Sequence, residues 1–446
     1  LLLLWPAILN GSPLLFFDSI AYLDQGRTAT AGALAKIAGL FATPGAASSG
    51  AGFETAAASA SFVRSISYSV FAYVSSLTLI GAIGPILLQS ALMTWLIGLL
   101  VEPALWRQRG ALLAAGVCLA AFTTLPWFIS YLTPDILAAA LIICGMVVVG
   151  CLDRLGGWMR LGLLGAASFA MLSHYGNLPL GLAIAVIVLA MLLWRGKLTV
   201  LRALVIVLPI GIAIGGNMLA SKVAFQEASA APKHLPILLA RSIADGPALW
   251  HLQENCPQKR YAICEIFDTV PANIGTLLWS KDGILNKATD EQMTRIRAEE
   301  PIILRRAFLE YPAQQSWSLV GNAVLQIGSI GTEDLRWSHL MRTADGGFSI
   351  GPGRFEARAG LDRVSDLNIL VTLLSIAVLL GCFVRDRLTA LPQERDIVLV
   401  ALAGLVVNAA IFGGLSAPVD RYQARVIWIL PLLALLAVLR RRGLQR

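Results

Sequence analysis

Long apolar stretches separated by short polar loops run through most of the chain. Each stretch is close to the roughly 20 mostly apolar residues that a transmembrane helix needs. The stretches lie at residues 1–16, 82–101, 111–130, 135–151, 161–174, 178–194, 203–220, 367–384, 397–413 and 424–439. The pattern therefore predicts an all-α polytopic membrane protein with about ten transmembrane helices.

The first and fifth stretches are shorter than the others. Residues 1–16 begin without Met, which indicates that an N-terminal segment precedes them, and a cleaved signal peptide is the alternative. Residues 161–174 end at a histidine.

Composition agrees with this fold class. The 446 residues are 57% hydrophobic and 14% charged, whereas soluble domains are about 45–50% apolar and about 25% charged. An ordinary soluble enzyme and a disordered protein are excluded. The net charge is +8, and in a membrane protein such an excess first concerns orientation.

The short loops all indicate one orientation. Five of them hold 14 Lys and Arg residues, at 106–109, 153–160, 194–202, 385–395 and 440–446. The alternate loops, 131–135 and 174–177, hold none. Because short basic loops stay in the cytoplasm, both termini are predicted to be cytoplasmic.

Two longer segments then face outside and divide the chain. Residues 1–220 are predicted to form helices one to seven, with a first outside loop at 17–65. Residues 221–366 form a periplasmic loop domain between helices seven and eight, and 367–446 form helices eight to ten and a basic tail.

These outside segments contain several local patterns. In the first loop, an Ala/Gly/Ser run at 42–60 precedes an apolar stretch at 67–81 that we expect to lie partly at the membrane interface. In the second, residues 290–311 are typical of a helix, and the glycine-rich residues 345–360 predict an irregular or mobile stretch.

Two of the six cysteines are candidates for a disulfide. Cys256 and Cys264 lie eight residues apart in the large loop, in an oxidising compartment if the topology holds. Two unrelated buried thiols are the alternative. The other four cysteines lie within or at the ends of spans, and no CxxC or HxxxH spacing predicts a metal site.

The motifs of soluble enzymes are absent. The sequence contains no GxxxxGK[ST], GxSxG or HExxH pattern, which argues against an ATP-driven pump or a soluble-type hydrolase.

Polar residues instead collect at the outer ends of five predicted spans. They are Asp18 and Asp24; Arg64 and Tyr68; Asp135; His174, Tyr175 and Asn177; and Arg421, Tyr422 and Arg425. Asp18, Tyr22 and Gln25 have the spacing of one helical face. Each residue alone has an ordinary explanation: a helix start for Asp135, interfacial aromatics for the tyrosines, a loop-end histidine, or lipid headgroup contacts for the arginines. Together they predict a polar cavity open to the outside and covered by residues 221–366.

Such a cavity suits sugars carried on polyprenyl phosphate. Arginine side chains match phosphate oxygens with charge-assisted hydrogen bonds. A carboxylate beside an acceptor hydroxyl can act as a general base for displacement at the anomeric carbon. The donor itself supplies the leaving group, so ATP is not required.

This layout resembles the GT-C fold glycosyltransferases, polytopic enzymes that use polyprenyl-linked sugars. The resemblance rests on FFDSIAYLD (16–24), RSISYS (64–69), TPD (133–135) and the loop at 221–366. It implies that Asp18 is the catalytic base or a metal contact, with Asp24 as the nearby alternative. Residues 245–264 also resemble proteobacterial inner-membrane proteins of uncharacterised function.

From this resemblance we expect catalytic roles for Asp18, Asp24 and Asp135. The expected substrate-binding residues are Arg64, Tyr68, His174, Tyr175, Asn177, Arg421, Tyr422 and Arg425. No metal ligand is predicted, and because no DxD accompanies Asp18, dependence on a divalent metal stays open.

The expected partners are a polyprenyl-phosphate-linked sugar, a glycan, lipid or protein acceptor, and membrane lipids, without nucleic acid. The expected location is a bacterial inner membrane, with the site facing the periplasm. Three alternatives stay open: an O-antigen polymerase or ligase, a transporter or flippase of lipid-linked glycans, and a non-catalytic assembly protein. Transporters usually carry inverted repeats and broken helices, neither of which is visible in the sequence.

Overall fold

The computed structural model describes residues 1–41, 64–103, 105–225, 229–344, 347–386 and 392–444. The Ala/Gly/Ser run at 42–60 and part of the basic loop at 385–395 therefore lie outside the described residues.

Helices dominate the described part of the chain. The first group is α1 (Trp5–Asn10), α2 (Phe17–Phe41), α3 (Ile66–Ser76), α4 (Ile83–Leu100), α5 (Arg109–Phe122), α6 (Leu125–Ser130), α7 (Ile136–Gly150), α8 (Gly157–Leu172), α9 (Asn177–Trp194) and α10 (Val200–Phe225). The large loop holds α11 (Ile237–Asp245), α12 (Pro247–Lys259), α13 (Ala262–Ile266), α14 (Ile274–Trp279), α15 (Ile284–Lys287), α16 (Asp290–Glu310) and α17 (Pro312–Gly328). The last group is α18 (Leu361–Asp386), α19 (Pro392–Ala409), α20 (Arg421–Ile427) and α21 (Ile429–Leu444).

Shorter elements complete the described chain. Three 3-10 helices lie at Leu2–Leu4, Leu105–Arg107 and Leu152–Arg154, and a π-helical turn at Ala410–Gly414 continues α19. Strands β1 (Ser338–Arg342) and β2 (Phe348–Pro352) form an antiparallel hairpin in which Leu340 lies opposite Ile350.

Several helices indicate an integral membrane protein. Among the described residues, six are long and apolar enough to span a bilayer: Ile83–Leu100, Asn177–Trp194, Val200–Ala224, Leu361–Val384, Glu394–Gly414 and Arg421–Arg441. Three further apolar helices are shorter, namely α5, α7 and α8.

The first apolar stretch differs from its prediction. Residues 1–16 form a 3-10 turn and α1, and then an extended segment in which Leu14 pairs with Tyr131. Gly11 ends α1 at a φ of +76°, where a side chain is disfavoured. No single helix of membrane-spanning length therefore forms in residues 1–16.

Helix α7 is the centre of the bundle. Every residue from Ile136 to Val149 is buried, with α4, α8, α9 and α19 around it. Glycine permits the closest of these contacts, since a Cβ at Gly404 of α19 would lie 2.9 Å from the side chain of Ile142.

The large loop has an apolar core of its own. Residues from α11 to α16 form a buried cluster separate from that of the bundle, including Leu239, Leu252 and Ile296. A disulfide joins Cys256 to Cys264, with 5.6 Å between their Cα atoms. Helix α16 begins with a capping box of Thr289 and Gln292, which confirms the helix predicted at 290–311.

Several contacts attach this loop to one end of the bundle, at α17 and at the first strand of the hairpin among other places. Helix α17 lies against the π-helical turn, where Gln326 donates to the Val419 carbonyl at 2.8 Å and accepts from its N–H at 2.9 Å. The Ser338 hydroxyl accepts from the N–H of Leu15 at 2.7 Å.

The hairpin corrects a second prediction. The glycine-rich residues 345–360 were expected to be irregular, yet Phe348–Pro352 is a strand. Its partner strand is held by Asn10, which donates to the Ser338 carbonyl at 2.7 Å. Contacts with the start of the chain thus stabilise a conformation that local composition does not predict.

Candidate functional site

Asp18 lies in the first turn of α2, where the helix dipole favours a carboxylate. One oxygen accepts from Arg64 Nη2 at 2.5 Å, and the other lies 3.4 Å from Arg421 Nη2. The side chain of Asp18 is 9% exposed. Asp18 therefore connects two arginines that are distant in sequence.

Arg64 is held by the next turns of the same helix. Gln25 donates to the Arg64 carbonyl at 2.9 Å and accepts from its N–H at 3.0 Å. Tyr22 is buried on this face, as its spacing from Asp18 predicts. The packing of α2 against α3 thus presents Arg64 to Asp18.

Asp135 precedes α7 and is buried. One of its oxygens lies 2.9 Å from Arg421 Nη2, and the other accepts from Arg425 Nη1 at 3.0 Å. Both arginines reach one carboxylate because residues four apart lie on the same face of α20. Removing Asp135 would leave the buried Arg425 without a carboxylate partner among the described ion pairs.

These five side chains form one connected set, which we term the arginine–aspartate cluster: Asp18, Asp135, Arg64, Arg421 and Arg425. It holds three positive and two negative groups, drawn from four separate segments. Exposure is graded, because Arg64 and Arg421 are 18% and 12% exposed, whereas Asp135 and Arg425 are fully buried. Any access from solvent is therefore through Arg64, Arg421 and Asp18.

Aromatic rings enclose the arginines. The Arg425 guanidinium carbon lies 3.9 Å from the centre of the Phe412 ring, and that of Arg421 lies 4.3 Å from the Phe16 ring. Such cation–π contacts favour a charged guanidinium in a dry environment. The Tyr422 ring lies 5.0 Å from that of Phe412 and is tilted by 39° relative to it.

The predicted residues at the junction of α8 and α9 lie beside the cluster. In the described hydrogen bonds, none of them pairs with one of its charged groups. The His174 ring lies 5.9 Å from that of Phe412, and its Nδ1 accepts from the Gly176 N–H at 3.0 Å. Tyr175 donates to the Arg64 carbonyl at 3.3 Å. Asn177 is buried and donates to the Ala170 carbonyl at 2.9 Å, which is a helix-joining contact.

Tyr68 and Asp24 take other positions. The Tyr68 hydroxyl donates to Gln89 Oε1 at 2.7 Å, and its ring meets Tyr22 edge to face. Asp24 is 38% exposed and lies 3.7 Å from Arg27. Six residues after Asp18, it faces about 120° away around the helix. Of the two carboxylates of α2 proposed for catalysis, only Asp18 takes part in the cluster.

Three further residues contribute that the sequence did not single out. Asn408 accepts from Arg425 Nη2 at 3.3 Å, and Phe412 covers that arginine from the π-helical turn. Asp334, from the large loop, accepts from the Arg421 N–H at 3.1 Å. Asn408 could have been noticed in the sequence as an amide inside an apolar stretch. Asp334 could not, because it is one of many charged residues in its loop.

Within the described residues, no group of three His, Cys, Asp or Glu side chains is placed to hold a metal ion. The cluster's own chemistry is that of guanidinium groups and carboxylates. It can bind an anion through Arg64 and Arg421 and accept a proton at Asp18.

Comparison with protein-family models, with characterised proteins and with solved structures found no match. The functional interpretation therefore depends on the geometry of the cluster.

Proposed function

We propose that this protein is an integral membrane glycosyltransferase of the GT-C type. It transfers a sugar from a polyprenyl-phosphate donor to a glycan, lipid or protein acceptor on the periplasmic face of a bacterial inner membrane. The proposal places the short basic loops and the basic tail in the cytoplasm and the large loop over the catalytic end, without a span at residues 1–16. The observation that carries it is the ion-paired position of Asp18 between two partly accessible arginines.

Charge placement supports the sidedness of this proposal. Among the described residues, Asp153 pairs with Arg202, and Asp396 with Arg195, although these residues belong to three different basic loops or their edges. The arginine–aspartate cluster instead joins segments that are all predicted to lie on the other face. If successive loops lie on alternate sides of a bilayer, residues on the same side are expected to contact one another.

In the proposed reaction, the donor phosphate binds Arg64 and Arg421, the two more accessible guanidinium groups. These groups currently neutralise Asp18, and the phosphate competes with the carboxylate for them. Asp18 is then free to accept the proton of the acceptor hydroxyl. The acceptor oxygen forms a bond to the anomeric carbon as the bond to the phosphate oxygen breaks, and polyprenyl phosphate leaves with the electron pair.

Asp135 and Arg425 act as positioning residues in this scheme. They are fully buried and fix Arg421 from the side away from solvent. Arg421 is thereby prevented from following the donor outward, and it keeps the geometry that the leaving phosphate requires.

The test is sugar transfer in proteoliposomes that contain radiolabelled polyprenyl-phosphate sugars and mixed glycan and lipid acceptors. Asp18→Asn keeps the shape of the side chain and removes the base, and we expect it to lose about 10²-fold or more of the transfer rate. Asp24→Asn, an acid on another face of the same helix, is the matched control and keeps the wild-type rate.

Two results would overturn the assignment. One is transfer by Asp18→Asn at the wild-type rate. The other is absence of transfer from every donor while lipid-linked sugar crosses the liposome bilayer, which would identify a transporter.

A further inference from the structure

A polar cavity lies at the opposite end of the bundle from the arginine–aspartate cluster. Asp135 precedes the first residue of α7, and Cys151 follows its last. The 15 residues between them form a helix about 22 Å long. The cavity beyond its end has a volume of about 230 Å³. Its charged lining residues are Asp153, Arg154, Lys197 and Arg202.

The lining of this cavity has an excess of positive charge. Three of the four charged residues are basic, and the acid, Asp153, has a side chain that is 77% exposed to water. Water screens such an exposed carboxylate, so it neutralises the basic groups weakly. The side chain of Arg202 is only 9% exposed. A buried positive charge is thus incompletely compensated by protein groups.

Arg202 also has an unused donor. Its Nη1 donates to the Lys197 carbonyl at 2.5 Å and its Nη2 to Asp153 at 2.6 Å. Its buried Nε has no hydrogen-bond partner in the described structure. Because protein atoms also close this nitrogen off from water, Arg202 acts on a ligand in the cavity through its charge rather than through this N–H.

Arg154, on the other side of the cavity, is fixed in place. It donates to the Leu99 carbonyl at 2.9 Å and contacts the sulfur of Cys151 at 3.0 Å. The cavity therefore presents arginines that are already held by backbone carbonyls, which lowers the entropy cost of binding a ligand.

We propose that this cavity binds a phosphate group. Arginine matches phosphate oxygens with directed hydrogen bonds, and the lining offers Arg154, Arg202 and the half-buried Lys197. The charge of Lys197 is shared with Asp396, which lies 3.8 Å away. The phosphate can belong to an anionic phospholipid headgroup or be free in solution. The lipid is the expected source, because basic groups between transmembrane helices at the cytoplasmic side bind such headgroups. This site does not depend on the proposed transferase activity.

The test uses the full chain, purified in a neutral detergent and depleted of lipid. Binding is measured by native mass spectrometry and by the shift in Tm, with phosphatidylglycerol, phosphatidylcholine and inorganic phosphate as separate probes. We expect phosphatidylglycerol to bind saturably and to raise Tm. Arg202→Gln should weaken that binding about ten- to hundredfold. Arg107→Gln, at an exposed basic residue of the predicted cytoplasmic side, is the matched control and should bind as wild type.

The outcomes separate the sources. Binding of phosphatidylglycerol alone supports a lipid site, and Arg202-dependent binding of inorganic phosphate supports a soluble ligand. Equal binding of phosphatidylglycerol and phosphatidylcholine, or wild-type binding by folded Arg202→Gln, overturns the proposal. If Arg202→Gln does not fold, Lys197→Gln replaces it, and unchanged affinity in that variant overturns the proposal as well.

Discussion

Two groups of charged side chains lie at opposite ends of α7, and they differ in burial rather than in composition. The arginine–aspartate cluster has two aspartates and three arginines. The group at the other end, which we term the basic-end group, also has two acids and three bases: Asp153, Asp396, Arg195, Lys197 and Arg202. Every side chain in the first group is at most 18% exposed, whereas Asp153 and Lys197 in the second are 77% and 35% exposed.

This difference indicates different roles. Burial of ion pairs costs desolvation energy that their attraction offsets only in good geometry. A fold gains little stability from such a cluster, and buried ionisable groups at a partly accessible end are the usual candidates for a functional site. The basic-end group is more exposed, and under the proposed topology headgroups and water can solvate it, as orientation signals and lipid contacts require.

The largest expected difference between the two ends concerns Asp135. Asp135→Asn leaves the fully buried Arg425 without its carboxylate, so we expect a loss of about 3–5 kcal/mol in the free energy of unfolding. Unfolding of the detergent-solubilised protein, followed by tryptophan fluorescence, measures it. If Asp135→Asn lost no more free energy of unfolding than Asp153→Asn, the difference in burial between the two groups would have no effect on stability.

An intermediate effect is expected at Asp396. Its side chain is 3% exposed and accepts from Arg195 at 3.0 Å, but Arg195 is itself 25% exposed and can regain water. Asp396→Asn should therefore cost about 1–3 kcal/mol by the same measurement. A cost equal to that of Asp135→Asn would show that partner exposure has no effect.

The smallest change in this series is expected at Asp153. Arg202 is itself only 9% exposed, but the carboxylate site beside it is 77% exposed, so water and dissolved anions can replace the lost charge. Asp153→Asn should therefore cost at most about 1 kcal/mol. High salt should reduce that cost further. Insensitivity of the difference to salt would argue against a surface ion pair.

A pH titration sharpens the comparison, because arginine–carboxylate pairs stay charged near neutral pH. In the large loop, His234 Nε2 lies 3.1 Å from Glu300. The hydrogen bond to Glu300, together with its charge, raises the pKa of His234 above 6.5, against the opposing effects of partial burial and Arg297. The stabilising contribution is complete below the unfolded pKa and is lost as pH rises through the folded pKa. Stability of the loop should thus fall with rising pH above about 6.5.

His234→Gln isolates this contribution. The variant should lose the pH dependence over that window while the effect of Asp135→Asn persists at every pH. Proteolysis of the loop across pH 5.5–8.5, a range of about three units around the ordinary histidine pKa, measures both. An unchanged pH profile in His234→Gln would assign the dependence to another group.

The pattern of apolar stretches predicted which polar segments could lie near one another. Apolar length predicts where a span ends, so Asp135 and Arg421 were expected at one depth. Asp18 was expected there as well, but from a first span at residues 1–16 that the structure does not form, and it lies in the first turn of α2 instead. Distances among them depend on helix packing, which hydropathy does not describe. The choice between Asp18 and Asp24 likewise required knowing which face of α2 packs against α3.

Other features were beyond reach for physical reasons. Phe412 is one of many apolar residues in its stretch, so nothing distinguishes it until the π-helical turn places it over Arg425. The β-hairpin depends on Asn10 and Leu15, more than 300 residues away in sequence. Such long-range contacts override the local preference of a glycine-rich segment.

The rate of sugar transfer in proteoliposomes tests the central claim most directly when one aspartate is changed at each end of α7. Asp18→Asn should lower the rate from polyprenyl-phosphate sugar about 10²-fold or more, and Asp153→Asn should leave it within about twofold, since its pair contributes little energy. Equal rates for the two variants would contradict a catalytic role for the arginine–aspartate cluster.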